Sequence, residues 1–507
     1  MNTYMNALKK TTNFTHTENG MLTHKTTESA VLDMFSQAAA YRKRSDEDCI
    51  LLFKNAFEED PLLAMKCLFY LRDVRGGQGE RRFFRTAYRW LCQNNYAVAE
   101  KNLEQIPEFG RWDDLIYITE GTSLEIPAFT LIQSQLFIDK QSKTPSLLGK
   151  WMPSQNASNK ETKRLGHRLA NFLSMTDREY RKTLSSLREK IKVLETLMSQ
   201  NRWDEIEFDK IPSKAGLIYK NAFAHKEVTA ARYAAFIKDK NTKVNASVLY
   251  PYDIAHRIFN DYTLSSRSYD DPERIVFNKY WDNLPDIYQG REENAIAIVD
   301  TSGSMGGQPM EVAISLGAYV ADKAKGPFAN HFITFSANPQ LQEFKGVDIV
   351  DKFLRCQDAD WGQNTNIEAV FNLLLETAVN NEVAAKDMPK RLYIFSDMQF
   401  DQCVCFNDDS PYNSRWLWHR INTSESKIQT GLEKIATKWK QHGYELPQVV
   451  FWNLRARANN CIPALGERFS YVSGFSPNIL KQILTGKTNY DLCLEVLLSD
   501  RYKSIKI

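Results

Sequence analysis

Between Ala30 and about Gln289 apolar residues recur three and four positions apart, in stretches such as VLDMFSQAAAYR, CILLFKNAFEEDPLLAMKCLFYLRDV, ERRFFRTAYRWLCQNNYAVAEKNL and YRKTLSSLREKIKVLETLMSQ. That spacing places them on one face of a 3.6-residue turn and predicts amphipathic helices. Breaks fall at Gly76-Gly77, Pro107 and Pro212, residues that interrupt helical backbone. Helix after helix without a strand predicts a stacked array whose members bury each other's apolar stripes. No repeat of fixed length recurs, so the array is read as irregular. Residues 1–30, rich in Thr, Asn and Lys and without a hydrophobic period, are read as a flexible or surface-draped leader.

At Arg291 the pattern changes. AIAIV (Ala295 to Val299) is a continuous apolar run, as expected of a strand buried on both faces of a parallel sheet. It is followed by a helical stretch (Met310 to Lys323), a strand (His331 to Phe335), a helix (Ile367 to Val379), a strand (Arg391 to Phe395), a helix (Ser426 to Gln441) and a strand (Gln448 to Asn453). This alternation predicts a doubly wound α/β domain. Gln399 to Asn422, irregular and aromatic-rich, is read as a long loop at one end of the sheet. The fold class is therefore α + α/β, with a leader over 1–30, a helical domain over 31–290 and an α/β domain over 291–507.

Composition alters this picture in two places. The net charge of the 507 residues is only +3, but Gln141 to Tyr250 holds 21 lysines and arginines against 11 aspartates and glutamates. That segment is either a surface for a polyanion or a set of solvated helix faces. The eight cysteines are scattered, without a CxxC pair or a histidine at zinc-ligand spacing, and no run of eighteen apolar residues occurs. Structural zinc and a membrane span are not expected, and the protein is placed in the cytoplasm with reduced thiols.

The candidate chemistry sits where strands of such a sheet end. The first strand leads into Asp300-Thr301-Ser302-Gly303-Ser304, a second loop offers Gly362-Gln363-Asn364-Thr365-Asn366, and the third strand ends in Ser396-Asp397. Three loops thus supply oxygen ligands, and only oxygen ligands, at one edge. That donor set suits a hard divalent cation, and it includes no His, Cys or Lys to act as nucleophile or base.

These elements resemble the DxSxS, Thr and Asp elements of the metal-ion-dependent adhesion site of von Willebrand factor A (vWA) domains, in that family's order. The resemblance implies a doubly wound, Rossmann-like vWA domain holding Mg²⁺ (or Mn²⁺ or Ca²⁺). Ser302 and Ser304 would bind the metal directly, Thr365 in one of two loop states, and Asp300 and Asp397 directly or through water. It also implies binding rather than catalysis.

A second resemblance lies in Phe69 to Arg81 (FYLRDVRGGQGER), Pro107 to Leu115 (PEFGRWDDL), Lys150 to Ser154 (KWMPS), Ile211 to Ala215 (IPSKA) and Val472 to Ser476 (VSGFS). Together they resemble a family of vWA-containing proteins distantly similar to the Ro autoantigen (TROVE proteins), whose HEAT-like helical repeats form a ring closed by a vWA domain and bind structured or misfolded RNA. Arg72, Arg75, Arg81 and Arg82 around the Gly-rich break either present guanidinium and N–H groups to a phosphate or pair with Asp73, Glu80 or Asp113. Lys150, Lys160, Lys163, Arg164, His167 and Arg168 are read equally as phosphate contacts or as a solvated face. Trp112 and Trp151 are read as core anchors. The expectation that results is a non-enzymatic, Ro-like scaffold that binds RNA through its basic helical domain and carries a metal-bearing vWA domain, with no membrane partner. The alternative is a protein-assembly module whose metal captures an Asp or Glu of a partner.

Overall fold

The computed structural model describes residues 12–286, 288, 292–335, 338–357, 365–403, 429–457, 461–484 and 488–507. From Ala30 to Asp282 it is a succession of helices. Polar caps start many of them: Ser45 and Asp48 form a capping box on the helix Asp46–Glu59, Asp60 caps Pro61–Arg72, and Thr176 with Glu179 caps Asp177–Lys190. The helix Arg82–Asn94 shows why the sequence pattern is readable, because Phe83, Phe84, Ala87, Tyr88, Leu91 and Cys92 are all buried on one side. Phe83, Phe84 and Leu91 contribute about 1.5–3 kcal/mol each on burial.

The second half is a sheet that, among the described residues, has six strands in the order β5-β4-β3-β6-β7-β8. These are β3 (Ala295–Asp300), β4 (His331–Phe335), β5 (Gln340–Glu343), β6 (Arg391–Ser396), β7 (Gln448–Asn453) and β8 (Phe469–Ser473). All pairings are parallel except β4 with β5. Side chains alternate between two cores. Ile296, Ile298, Ile394 and Phe451 lie under the helices Ile367–Asn380 and Gly431–Gln441. Ala297, Val299, Phe395 and Trp452 face the other way, into a core continuous with that of the helical half.

The change of element type near residue 290 is therefore not a break in packing. Arg291 and Gln289 themselves lie outside the described residues. The helix Gln308–Lys323 sits close on β3, since a Cβ on Gly317 would come within 2.4 Å of a Val299 methyl, and its other side meets the helix Pro251–Phe259. Trp281, fully buried, donates to Asp322 at 2.8 Å and stands edge-on to Tyr319 and Phe353. Past β8 the chain returns to the helical half. Tyr502 stacks on Phe109, and the Lys506 N–H donates to Asn102 at 3.0 Å.

Of the two expectations for the leader, flexible or surface-draped, its described part follows the second but is anchored by its own secondary structure. Residues 1–11 lie outside the described residues, but β1 (Phe14–His16) and β2 (Leu22–His24) form an antiparallel hairpin. Its Met21 is fully buried in the core under the helix Gly431–Gln441. His24 exchanges two backbone hydrogen bonds with Ile462 at 2.9 Å. Strands of three residues are too short for a period to register, and the partners that order them lie far away in sequence. Most of the loop expected from Gln399 to Asn422 falls on residues that are not described.

Candidate metal centre and basic surface

β3 is buried along its whole length and carries Asp300 to the carboxyl edge of the sheet with no exposed surface. One carboxylate oxygen of Asp300 accepts the Ser302 N–H at 2.9 Å and the other accepts the Ser396 hydroxyl. The chain then tightens into a 3-10 turn, Gly303–Met305, which sets the hydroxyls of Ser302 and Ser304 side by side at 3.0 Å. β6 delivers Asp397, whose oxygens accept the Gln399 N–H at 3.3 Å and the Arg457 Nε at 3.0 Å. Arg457 also donates to the Ser304 carbonyl at 3.1 Å, as does Arg455 at 2.8 Å.

Thr365 bonds to the segment that follows Asp397 and to the leader. Its hydroxyl donates to Asp401 at 2.6 Å and accepts from the Asn19 amide at 2.7 Å. The same amide donates to the Gln399 carbonyl at 2.8 Å, and the Glu18 N–H donates to the Gln399 side chain at 2.7 Å. The N-terminal hairpin thus ties Thr365 to the segment that follows Asp397. Gly362, Gln363 and Asn364 lie outside the described residues.

Electrostatics distinguish the two carboxylates. Asp397 has Arg457, whereas Asp300 has only hydroxyl and N–H donors among the described residues. Burial, with the Asp397 charge behind it, pushes the Asp300 carboxyl up to about 7. An ionised carboxylate held without a cation is costly to bury. The hydroxyls of Ser302 and Ser304 and the two carboxylates therefore offer oxygen donors of the kind a hard divalent cation takes, and Thr365 is tied through Asp401 to the segment after Asp397. Among the described residues no group of three or more His, Cys, Asp or Glu side chains is gathered to hold a metal, here or elsewhere, so the candidate set at this edge is two carboxylates with hydroxyls.

Sequence reasoning missed Asp401, Arg455, Arg457, Gln399 and Asn19. It places Ser396 with Asp397 at the strand end but does not give its role as donor to Asp300. The others are recruited from loops and from the leader, where no spacing pointed to them.

The basic residues separate into two groups. Arg72, only 1% exposed, makes two hydrogen bonds to Asp114, at 2.8 and 2.6 Å, and is sealed from any phosphate. Arg82 pairs with Asp46, Arg75 donates to the Glu108 carbonyl at 2.9 Å, and Arg81 is half-buried beside the charges of Asp113 and Asp114. Arg72 and Arg82 thus take acidic partners, Asp114 and Asp46 in place of the expected ones, while Arg75 stays exposed beside Glu108. Asp73 instead takes Arg501, and Glu80 takes Arg42.

The Gly-rich break is closed as well, because the N–H groups of Gln78, Gly79 and Glu80 donate to the carbonyls of Tyr70, Asp73 and Leu71. A Cβ on Gly77 would lie 1.9 Å from the Tyr70 carbonyl oxygen, and one on Gly474 would lie 2.4 Å from the Gln78 side chain. The RGGQG and VSGFS motifs therefore meet at the junction of the two halves and hold it together.

On the helix Lys160–Phe172, Arg164 and Arg168 pair with Glu120 and Glu125, and His167 faces Asp177 at 3.3 Å. Lys160 and Lys163 are exposed. Lys150 lies over the Trp151 ring at 5.5 Å, and Arg111 covers that ring at 4.2 Å.

Taken together, the chain is a helical array sharing one core with a mostly parallel α/β sheet, whose carboxyl edge gathers carboxylates and hydroxyls. Residues 17–121 and 132–287, just over half of the chain, match the family described as Domain of unknown function (DUF2828), and the chain belongs to that family. Residues 294–499 match a second, Domain of unknown function (DUF7788). The chain is 31% identical over 518 residues to Uncharacterized protein L728 of Acanthamoeba polyphaga mimivirus, which covers 94% of this chain and 85% of that protein. Among solved structures it is similar to the Ro (RSR) protein of Deinococcus radiodurans, with a TM-score of 0.48 and 10% identity over 91% of this chain and 100% of that one. Among the described residues no helix is long and apolar enough to cross a membrane.

Proposed function

We propose that this protein is a non-enzymatic, Ro-like scaffold of the cytoplasm that binds structured or misfolded RNA through its helical half and holds Mg²⁺ at the carboxyl edge of its sheet, as vWA domains do. The RNA reading rests on one observation, the uneven use of cations. Of the arginines near the Gly-rich break, Arg72 is enclosed with Asp114 and Arg82 pairs with Asp46, while Lys143, Lys160 and Lys163, in the segment with the positive excess, stand exposed. Exposed lysines give phosphate contacts that release counterions and carry little sequence information.

The metal reading is supported by the buried Asp300 carboxylate, which has no cationic side chain among its described partners. Ser302, Ser304, Thr365, Asp300 and Asp397 would hold the ion, either directly or through water. Once bound, it supplies a Lewis-acidic position that accepts an anionic oxygen.

Arg455 and Arg457 beside that position favour a second reading, in which an Asp or Glu of a partner protein is captured there. Purification with and without nuclease separates the two. RNA that remains bound in EDTA at constant ionic strength, but leaves as salt rises, supports the first. RNA lost to EDTA from a folded protein would move the binding site to the sheet edge, and a protein partner released by EDTA would favour the second.

A further inference from the structure

Across the basic segment runs a cavity of about 600 Å³, enclosed by the loop before Lys150, the junction after the helix Asp177–Lys190, and the stretch from Glu205 to Pro212. Pockets for small ligands commonly fall in this size range. Its wall carries Lys143, Lys150, Lys190, Lys192 and Lys210 against only Glu205 and Glu207.

Both glutamates are already satisfied. Glu205 is held by Arg202 through two hydrogen bonds of 2.6 Å, and Glu207 takes Lys210 as well as Lys192 at 3.5 Å. Positive charge therefore remains at the rim, on Lys143 and Lys150 above all. Beneath the lysines the wall is apolar, with Leu194, Leu197, Ile206 and Ile211 buried and Leu147 half-exposed. A rim of ammonium groups over an aliphatic floor fits a ligand with phosphates at one end and a flat, weakly polar body at the other.

The backbone gives an independent indication. Lys192 adopts φ +46° where the helix Asp177–Lys190 ends, with its N–H donating to the Glu189 carbonyl and that of Val193 to the Arg188 carbonyl. Glycine ordinarily fills such a position, because a Cβ strains the left-handed backbone. The exposed ion pair to Glu207 gives little in return for that strain, since such pairs are weak and Glu207 already has Lys210. Strained side chains of this kind concentrate at ligand sites.

We propose that this cavity is a binding site for a nucleoside phosphate, with Lys143, Lys150 and Lys192 contacting the phosphates and the aliphatic floor receiving the base. The ligand is either a free nucleotide or a nucleotide unit of an RNA strand. Only the second source rests on the RNA reading above.

The test uses the full chain in EDTA, so that cation-bridged binding at the sheet edge does not contribute. Fluorescent ADP, inorganic phosphate and a short single-stranded oligoribonucleotide are titrated into wild type, Lys150→Gln and Lys192→Gly. The expected result is saturable binding of ADP or of the oligonucleotide that falls at least fivefold in each variant, while Lys192→Gly keeps or raises the melting temperature. Binding of ADP alone identifies a free nucleotide, and competition by the oligonucleotide identifies the strand. If neither binds, if inorganic phosphate binds as well as ADP, or if both variants bind like wild type, the proposal is overturned. RNA retention that survives both substitutions would overturn the strand as the cavity's ligand and leave the RNA reading standing.

Discussion

In the helical half Arg72 and Arg85 face Asp113 and Asp114, two guanidiniums against two carboxylates, with the Arg72 and Asp114 side chains 1% and 0% exposed. At the sheet edge Asp300 and Asp397 are buried just as completely, but Arg457 is the one guanidinium bonded to either among the described residues. Both clusters sit at the ends of elements, and both arise from motifs visible in the chain. The first is balanced and needs nothing from outside, which explains Gly110: a Cβ there would lie 2.6 Å from Asp114 and 2.9 Å from Arg72. The second is one positive charge short. The matched cluster is complete in itself, whereas under the metal reading a bound cation would complete the unmatched one.

The balanced cluster is the easier to break. Arg72→Met leaves Asp114 buried with Arg85 alone, and removing one partner of a buried pair costs about 3–5 kcal/mol. Equilibrium urea denaturation should show that loss with the Mg²⁺ affinity of the remaining folded protein unchanged. A loss below about 1 kcal/mol would mean that the pair contributes no more than a surface one.

Asp33 sharpens the comparison, because it is a buried carboxylate in the helical half with no cation among its described partners. Burial pushes it up to about 6, against hydrogen bonds from Thr27 and with help from the Glu59 charge. Its folded value lies above the unfolded value of about 3.9. The unfolded chain therefore ionises first as pH rises, and stability present below pH 4 is lost through pH 6. At 1.36 kcal/mol per unit the loss approaches about 3 kcal/mol. Asp33→Asn should flatten that part of the stability-against-pH curve relative to wild type. Parallel curves would show that Asp33 ionises freely.

Asp300→Ala tests the unbalanced cluster. The mutant should fold without loss of stability in EDTA, since the substitution removes a charge that had no cation. Wild type should gain about 2.7 kcal/mol when Mg²⁺ stands at one hundred times its dissociation constant, and the mutant should gain nothing. Calorimetric titration and thermal melts read both, and equal Mg²⁺ binding by the two proteins would remove Asp300 from the site.

Much of this architecture was legible in the sequence because it depends on local periodicity. The run AIAIV reads as a buried strand, and β3, β4, β6 and β7 lie where the apolar runs placed them. β5 and β8 were not read. β5 has the polar sequence QLQE and is mostly exposed at the sheet edge, and β8, FSYVS, alternates too briefly to stand out. At the sheet edge, the candidates that arrive with their own strand, Asp300, Ser302, Ser304 and Asp397, lie where the sequence places them. Those brought by tertiary contact were not: Asn19 meets Thr365 across 346 positions, and Arg457 meets Asp397 across 60. The arginine motif was legible as a motif but not in its role, because FYLRDVRGGQG shows the residues and hides that Asp114 closes on Arg72.

The smallest expected effect concerns the hairpin, the element the sequence hid most completely. The Thr365 hydroxyl spends its proton on Asp401 and one lone pair on the Asn19 amide, which leaves a single lone pair for a cation. If Thr365 contacts the metal, Asn19 competes with it, and the leader restrains the very site it covers. A neutral hydrogen bond is worth about 0.5–1.5 kcal/mol net, so Asn19→Ala should tighten Mg²⁺ binding by about two- to tenfold. Thr365→Val should weaken binding and cancel the effect of Asn19→Ala in the double mutant, since the two substitutions act on one oxygen. Calorimetric titration of the four proteins checks this. Weaker binding by Asn19→Ala would reverse the sign and make the hairpin a support that holds the Thr365 loop in place. A gain that persists in the double mutant would place the coupling on the Gln399 carbonyl, the other acceptor of the same amide.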